Sequence, residues 1–183
     1  MDAPVNIIAT ANDFIRRFPE CPQNLFIIIS INEQKLYLIK DNKVIEHYMI
    51  SSAEKGTGNL SGSYKTPLGG HAISEKFGDT AKLGSIFKAR KDTHKLAKIL
   101  THPNDISNKD NITSRILWLT GLEDGINKGN NIDTHDRYIY IHGTDEEGRL
   151  GKAVSHGCIR MSNQDVIDLF NQVTLGTLVS IIN

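Results

Sequence analysis

The chain has 183 residues, and its 21 Lys and Arg are balanced by 21 Asp and Glu. A chain of this length can bury one sizeable core without a disulfide or a metal ion. Because the charges balance, no long-range field attracts a polyanion, so nucleic acid is not an expected partner. Nowhere do about eighteen apolar residues follow one another, so no membrane-spanning helix is expected.

Residues 1–24 predict a helical extension ahead of the main fold. Apolar residues recur at helical spacing from Ile7 to Phe18, and two prolines soon afterwards end the pattern. The first residues have no basic stretch followed by an apolar run, so no signal peptide is expected. If Met1 is the true start, this predicts a cytoplasmic protein; a truncated start would be compatible with a periplasmic one.

From Leu25 the pattern changes to β-branched and aromatic runs, which are typical of strands. Three such runs at 26–31, 35–39 and 44–50, separated by turn residues, predict a β-meander. The stretch 51–66 that follows is rich in Gly, Ser and Asn and predicts a long loop.

The middle of the chain predicts a corner and an irregular insertion. Pro67, with glycines at positions 69 and 70, predicts a rigid corner before a short strand near 71–73. The polar segment 75–115 predicts an irregular insertion over the site, with helical turns around 95–100.

Two more strands are predicted before the C-terminal part of the chain. One covers 116–119. The other covers 137–142, where alternation places Tyr138, Tyr140 and His142 on one face and ends the strand at His142.

The C-terminal segment predicts a helix and a last strand. Ser162 with Asp165 three residues later resembles a capping box, and the apolar residues that follow would form the buried face of a helix that Gly176 stops. Residues 177–182 then predict a strand. The predicted fold class is mainly β with short helices.

Three side chains capable of chemistry, those of His142, His156 and Cys158, lie within a stretch of seventeen residues. A thiol attacks as its thiolate and needs a base, and the loop between His142 and Cys158 is long enough to fold back. The alternative is that Cys158 is a small buried hydrophobe. We favour a nucleophile because glycines stand where backbone N–H groups must approach a substrate.

The residues suggest a division of roles. Cys158 is the predicted nucleophile and His142 the general base, since an imidazole titrates near neutral pH. The backbone N–H groups of Gly157 and Cys158 are predicted to bind an oxyanion, assisted by a helix that begins just afterwards. The backbone carbonyl of Gly143 is the first candidate for orienting His142, and Asp145 is a second.

No metal site or cofactor is expected. His135, His142, His156 and Cys158 lack the short paired intervals that zinc sites show. Cys21 and Cys158 are expected to be free thiols.

A histidine, a loop of about fifteen residues and then Ser155-His156-Gly157-Cys158 resemble the motif of the L,D-transpeptidase (YkuD) family. Residues 137–144 around this histidine and the stretch 65–69, which looks like the family's Thr-Pro-x-Gly corner, extend the resemblance. It covers 25–183, the expected catalytic domain, and leaves 1–24 outside. It implies a mixed β sandwich with a catalytic loop before a C-terminal helix and strand.

The resemblance also implies a reaction on peptidoglycan. The Cys158 thiolate would attack the third residue of a tetrapeptide stem, usually diaminopimelate, expel the terminal D-alanine and leave a thioester. Water as acceptor would make an L,D-carboxypeptidase acting on muropeptides; an amine of another stem would make a cross-linking L,D-transpeptidase. Carbapenem-type β-lactams would be expected to acylate Cys158.

The expected lack of an export signal favours an L,D-carboxypeptidase of muropeptide recycling. Cross-linking of the cell wall is the alternative. A non-catalytic muropeptide-binding module is a third reading, and the presence of both His142 and Cys158 counts against it.

The remaining residues of the motif are expected to support the site. Ser155 and His156 would shape it by hydrogen bonding. Arg160 would either bind a substrate carboxylate or brace the loop, since a guanidinium suits both. Tyr138 and Tyr140 are expected to be aromatics of the core or the rim of the site rather than substrate ligands, although a substrate contact is kept open for Tyr140.

Overall fold

The computed structural model describes residues 6–22 and 24–183, so residues 1–5 and 23 of the predicted N-terminal extension lie outside the described part. Over the described residues the chain forms ten strands and two α-helices, which confirms a mainly β fold with short helices. The helices are α1 (Ile7–Arg17) and α2 (Asn163–Gln172). The strands are β1 (Leu25–Ser30), β2 (Lys35–Lys40), β3 (Lys43–Met49), β4 (Gly69–Phe77), β5 (Ser85–Lys88), β6 (Lys91–Leu96), β7 (Ile112–Gly121), β8 (Tyr140–Thr144), β9 (Ile159–Met161) and β10 (Leu178–Ile182).

All ten strands belong to one mixed sheet. Its main path runs β3-β2-β1-β10-β4-β7-β8-β9, and the β5–β6 hairpin attaches to β7. The pairs β1–β10 and β8–β9 are parallel. A bridge between Ser51, just after β3, and Arg160 in β9 joins the two ends of this path. The sheet therefore curls back on itself.

The main core lies inside this curled sheet. Alternate apolar side chains of β1, β2 and β10 meet those of β7, β8 and β9, and α2 adds Val166, Leu169 and Phe170. Burying each large aliphatic or aromatic side chain contributes about 1.5–3 kcal/mol. The Ser162 Oγ accepts a hydrogen bond from the Asp165 N–H at 3.1 Å, so the predicted N-cap of α2 is confirmed.

Helix α1 packs on the outer face of the sheet. Its Ala11 and Phe14, with Phe18 just beyond its end, contact Phe26 and Ile28 of β1. These two residues point outward because side chains alternate along a strand, while their neighbours point into the main core.

The segment 75–115 differs from its prediction. Strand β4 continues to Phe77, the β5–β6 hairpin follows, and β7 begins at Ile112, so only part of the segment is irregular. The helical turns expected around 95–100 are wrong, because β6 runs to Leu96 and no helix follows it in that described stretch. The hairpin turn has φ of 46° at Ala89 and 65° at Arg90. Such turns are normally signalled by Asn or Gly, which this turn lacks.

The strand that carries His142 is also displaced from its prediction. It begins at Tyr140, so His142 lies in its middle and does not end it. Tyr138 belongs to the preceding turn, with φ of 56°, and its side chain is 54% exposed. The three-strand meander and the last strand were predicted correctly.

Candidate active site

His142 lies in β8, and Cys158 is the residue immediately before β9, the parallel strand beside β8. The register pairs His142 with Arg160, so Cys158, two residues earlier, lies beside Tyr140, whose N–H donates to Cys158 Sγ at 3.4 Å. The alternate residues of both strands point into the main core. His142 and Cys158 therefore share the opposite face, offset by two residues or about 6.6 Å along the strands.

The His142 imidazole is held in one tautomer. Its Nδ1 lies 2.7 Å from the Gly143 carbonyl oxygen. Because a carbonyl oxygen only accepts, Nδ1 carries the hydrogen and Nε2 keeps a lone pair. Burial, with a contribution from the Arg160 guanidinium, lowers the pKa of His142 to about 4. The imidazole is therefore neutral at pH 7, which is the form that a general base requires.

The Cys158 side chain is a neutral thiol at the same pH. Burial raises its pKa to about 11, although the positive charges of Arg160 and Arg137 oppose this shift. Its Sγ donates to the Tyr138 carbonyl at 3.4 Å. The site thus holds a thiol and an imidazole, both uncharged, and forming the thiolate requires proton transfer as the reaction begins.

Hydrogen bonds hold the loop before Cys158. The Ser155 Oγ donates to the Cys158 carbonyl at 2.6 Å and accepts from the Gly157 N–H at 3.2 Å. The Thr66 Oγ1 donates to the Gly157 carbonyl at 3.0 Å. Gly157 has φ of 135°, a conformation that favours glycine. Thr66 was not predicted as a site residue, although the Thr-Pro-x-Gly stretch was the available signal.

The predicted oxyanion donors are not equivalent in this structure. The Gly157 N–H already donates to Ser155, so it must leave that hydroxyl before it can bind a substrate oxygen. Helix α2 begins after Ser162, as predicted, and the short strand β9 lies between Cys158 and this helix. The role predicted for both N–H groups stays a prediction.

A network of ion pairs lies under the catalytic loop. The Arg160 guanidinium is 3% exposed and contacts Asp110 Oδ1 at 2.7 Å and Glu146 Oε2 at 2.8 Å. The Asp110 Oδ2 also lies 2.9 Å from His156 Nδ1. Burial alone would raise the pKa of Asp110, but the charge of Arg160 keeps it below its ordinary value. Asp110 and Glu146 were not predicted, since neither belongs to the motif.

The second candidate for orienting His142 has other partners. The Asp145 carboxylate accepts from Ser107 Oγ at 2.7 Å and from Asn111 Nδ2 at 2.6 Å. It ties the irregular segment before β7 to the end of β8. The His142 ring donates its hydrogen bond to the Gly143 carbonyl instead.

Three aromatic residues, Trp118, Tyr138 and Tyr140, form a shelf beside the nucleophile. The Trp118 ring stacks on Tyr138 with 5.4 Å between centroids and meets Tyr140 edge-on at 5.5 Å. The Trp118 ring also stacks on His135, with 4.0 Å between centroids, and the Arg90 Cζ lies 4.7 Å from the Trp118 centroid. The backbone groups that contact Cys158 Sγ belong to the same two tyrosines.

Two grooves open beside His156. One, of about 270 Å³, is lined by Tyr64, Arg137 and Tyr138 among others. The second, of about 350 Å³, is lined by Glu54, Lys55, Tyr64, Ser155 and His156. The Arg137 guanidinium donates to the Lys65 carbonyl at 2.6 Å and so fixes the wall that these grooves share.

Within residues 6–22 and 24–183, no cluster of three or more His, Cys, Asp or Glu side chains is arranged to hold a metal ion. No helix in the same residues has the length and apolar character needed to cross a membrane.

The chain is similar to known proteins in sequence and in fold. The family model YkuD, the L,D-transpeptidase catalytic domain, matches residues 24–181, so the chain belongs to this family. It is 50% identical to YqjB of Bacillus subtilis over a segment of 48 residues, and this segment covers 26% of this chain and 27% of YqjB. Over 41 residues it is 58% identical to YkuD of the same organism, 22% of this chain and 25% of that protein. Both proteins are named as L,D-transpeptidases.

Solved structures show the same fold. LdtMt1 in complex with imipenem has a TM-score of 0.52 and 17% identity over 87% of this chain and 59% of its own. L,D-transpeptidase 3 from Mycobacterium tuberculosis, with a faropenem-derived adduct, has a TM-score of 0.52 and 17% identity over 87% of this chain and 60% of its own. The chain thus spans about three fifths of these structures, and the matched segments span about a quarter of the Bacillus relatives.

Proposed function

We propose that this chain cleaves peptidoglycan tetrapeptide stems through a thioester on Cys158. The bond broken joins the third residue, usually diaminopimelate, to the terminal D-alanine. The observation that carries the proposal is the His142 imidazole, held neutral with its Nε2 lone pair available, on the same face as the Cys158 thiol. Membership of the L,D-transpeptidase catalytic domain family supports the substrate class.

In the acylation half-reaction, Cys158 Sγ attacks the carbonyl carbon of the third residue while His142 Nε2 takes the thiol proton. The oxyanion accepts a hydrogen bond from the Cys158 N–H, joined by the Gly157 N–H once it leaves Ser155. The tetrahedral species then breaks its C–N bond. The imidazolium returns the proton to the departing amine of D-alanine, and the thioester remains on Cys158.

The acceptor that resolves the thioester decides the product. Our first candidate is water, which His142 deprotonates. Its attack on the thioester releases a tripeptide and makes the chain an L,D-carboxypeptidase of muropeptide recycling. Cys158 is only partly buried, which supports access by water.

The second candidate is an amine acceptor, which would make a cross-link. The groove that is lined by Glu54 and Lys55 could receive it, with the Glu54 carboxylate as a partner for an ammonium group. The names of the Bacillus relatives point the same way. Both candidates share the same acyl-enzyme.

The test is incubation with a disaccharide tetrapeptide, with and without a D-amino acid as acceptor, followed by mass spectrometry. Tripeptide formed at comparable rates in both mixtures is the expected result. Product formed only with the acceptor would overturn the carboxypeptidase in favour of transfer. Absence of any product, or turnover that survives Cys158→Ala, would overturn the proposed function itself.

A further inference from the structure

Arg90 occupies a fixed position at the tip of the β5–β6 hairpin. The turn is set by the positive φ of Ala89 and Arg90, and the hairpin is anchored by Phe87, which is 6% exposed and packs against Trp118 and Tyr140. The hairpin thus places this guanidinium over the aromatic shelf.

The guanidinium of Arg90 is only partly used by the protein. Its Cζ lies over the rings of Trp118 and Tyr138, at 4.7 and 5.5 Å from the centroids, and its Nη1 donates to Tyr140 Oη at 3.3 Å. A guanidinium has five N–H donors, and the Tyr140 hydroxyl takes one of them. Within residues 6–22 and 24–183, no carboxylate forms an ion pair with Arg90, and the nearby Glu75 contacts His135 instead.

Other arginines near the site are engaged by the protein. Arg160 contacts two carboxylates, and Arg137 donates to backbone carbonyls of the loop that precedes Thr66. Arg90 therefore differs in presenting positive charge and open donors beside the nucleophile.

The shelf connects Arg90 to the reacting atoms. Cys158 Sγ contacts the carbonyl of Tyr138 and the N–H of Tyr140, whose hydroxyl accepts from Arg90. A stem peptide that lies along this shelf would have its scissile carbonyl beside Cys158. Its D-alanine carboxylate stands within one residue, about 3.8 Å of chain, of the scissile bond, and the diaminopimelate side-chain carboxylate lies further away, at the end of that side chain.

We propose that Arg90 is a substrate-binding residue that holds a carboxylate of the stem peptide while its guanidinium stays over Trp118 and Tyr138. This inference rests on the proposed function. A charge-assisted hydrogen bond at the edge of an aromatic surface is stronger than one in open water. The carboxylate comes either from the terminal D-alanine or from the side chain of diaminopimelate.

The experiment measures donor consumption by wild type, Arg90→Met and Arg90→Lys. It uses three substrates: the tetrapeptide, its C-terminal amide, and a tetrapeptide with lysine in place of diaminopimelate. Lys88→Met, which removes an exposed charge from the same hairpin, is the matched control. Arg90→Met should lower kcat/KM for the tetrapeptide about 10- to 100-fold, mainly through KM, and Arg90→Lys should retain part of the activity.

The variant-to-wild-type ratio identifies the ligand. If the ratio of kcat/KM for Arg90→Met to that for wild type is close to one on the amide, Arg90 binds the D-alanine carboxylate. If this ratio is close to one on the lysine peptide, Arg90 binds the diaminopimelate carboxylate. Equal losses on all three substrates, or no loss on any, would overturn the inference and leave the proposed function standing. A wild type inactive on all three would overturn both.

Discussion

His142 Nδ1 donates to the carbonyl oxygen of its own chain neighbour, Gly143, at 2.7 Å. The orienting group of the candidate base is therefore backbone, and its position depends on how closely β8 packs on β7. A Cβ on Gly143 would lie 2.6 Å from the Thr113 carbonyl oxygen and 3.0 Å from Asn163 Oδ1. Only glycine allows this approach, so the geometry of the imidazole is tied to the packing of two strands.

Gly143→Ala should therefore separate β8 from β7 and misdirect the His142 ring. We expect a fall in kcat/KM of about 100-fold, the scale of a lost general base, with about 1–3 kcal/mol lost from the free energy of unfolding. Gly58→Ala is the control, because Gly58, like Gly143, is not at positive φ, and an added Cβ there would meet only the flexible Lys65 side chain. Wild-type activity in Gly143→Ala would show that the carbonyl does not orient the base.

The raised pKa of Cys158 predicts that its thiol reacts slowly with alkylating reagents at neutral pH. At a pKa of about 11 the thiolate fraction at pH 7 is about two powers of ten below that of an ordinary cysteine, and it grows as pH rises toward 11. Iodoacetamide alkylation should follow this rise. The measurement is made in a Cys21→Ser background, so that only Cys158 reacts. A rate that levels off near pH 7 would instead indicate a preformed thiolate.

Two buried histidines predict loss of stability in acid. The pKa values of His142 and His71 are both lowered by burial to about 4, whereas unfolded histidine titrates near 6.5. Between these values the unfolded chain binds protons that the folded chain does not, so the free energy of unfolding falls as pH falls. The slope is up to about 1.4 kcal/mol per pH unit for each histidine.

Urea unfolding between pH 7 and pH 4 measures this slope. His71→Asn should reduce it by about half relative to wild type, because one of the two buried groups is gone. His102→Asn, at an exposed position, should leave it unchanged. A slope that His71→Asn does not alter would contradict the assignment.

Asp110 is expected to position the catalytic loop through His156 and Arg160. Asp110→Asn removes the charge that both partners face, and we expect kcat to fall about tenfold. Because Asp110 raises the pKa of Cys158, the alkylation profile should also move to lower pH. Asp105→Asn, exposed in the same segment, serves as the control. An unshifted profile would mean that Asp110 has only a structural role.

Carbapenems should acylate Cys158. Opening of the β-lactam ring by the thiol would add the mass of the whole inhibitor, since no leaving group departs. Intact-mass spectrometry after incubation with imipenem, the ligand in the LdtMt1 structure, tests this. Cys21→Ser should still form the adduct and Cys158→Ala should not; an adduct on Cys158→Ala would place the reactive group elsewhere.

Much of the fold could be predicted from the sequence because strand and helix patterns are local. The meander, the last strand and the capped helix follow from side-chain alternation and from Ser162, which are properties of neighbouring residues. The β5–β6 hairpin could not be predicted in this way. Its turn uses Ala89 and Arg90 at positive φ, a conformation held by the packing of Phe87 against other strands.

The same division holds for the site. By itself, the sequence determined the candidate pair His142 and Cys158 and the family, because a reactive thiol, a base and glycines at set intervals are visible along the chain. Only the tertiary structure decided the charge states of the pair and the partners of Arg160. Those depend on burial and on contacts with Asp110 and Glu146, and both the loss of water and the approach of distant charges arise when the sheet closes on itself.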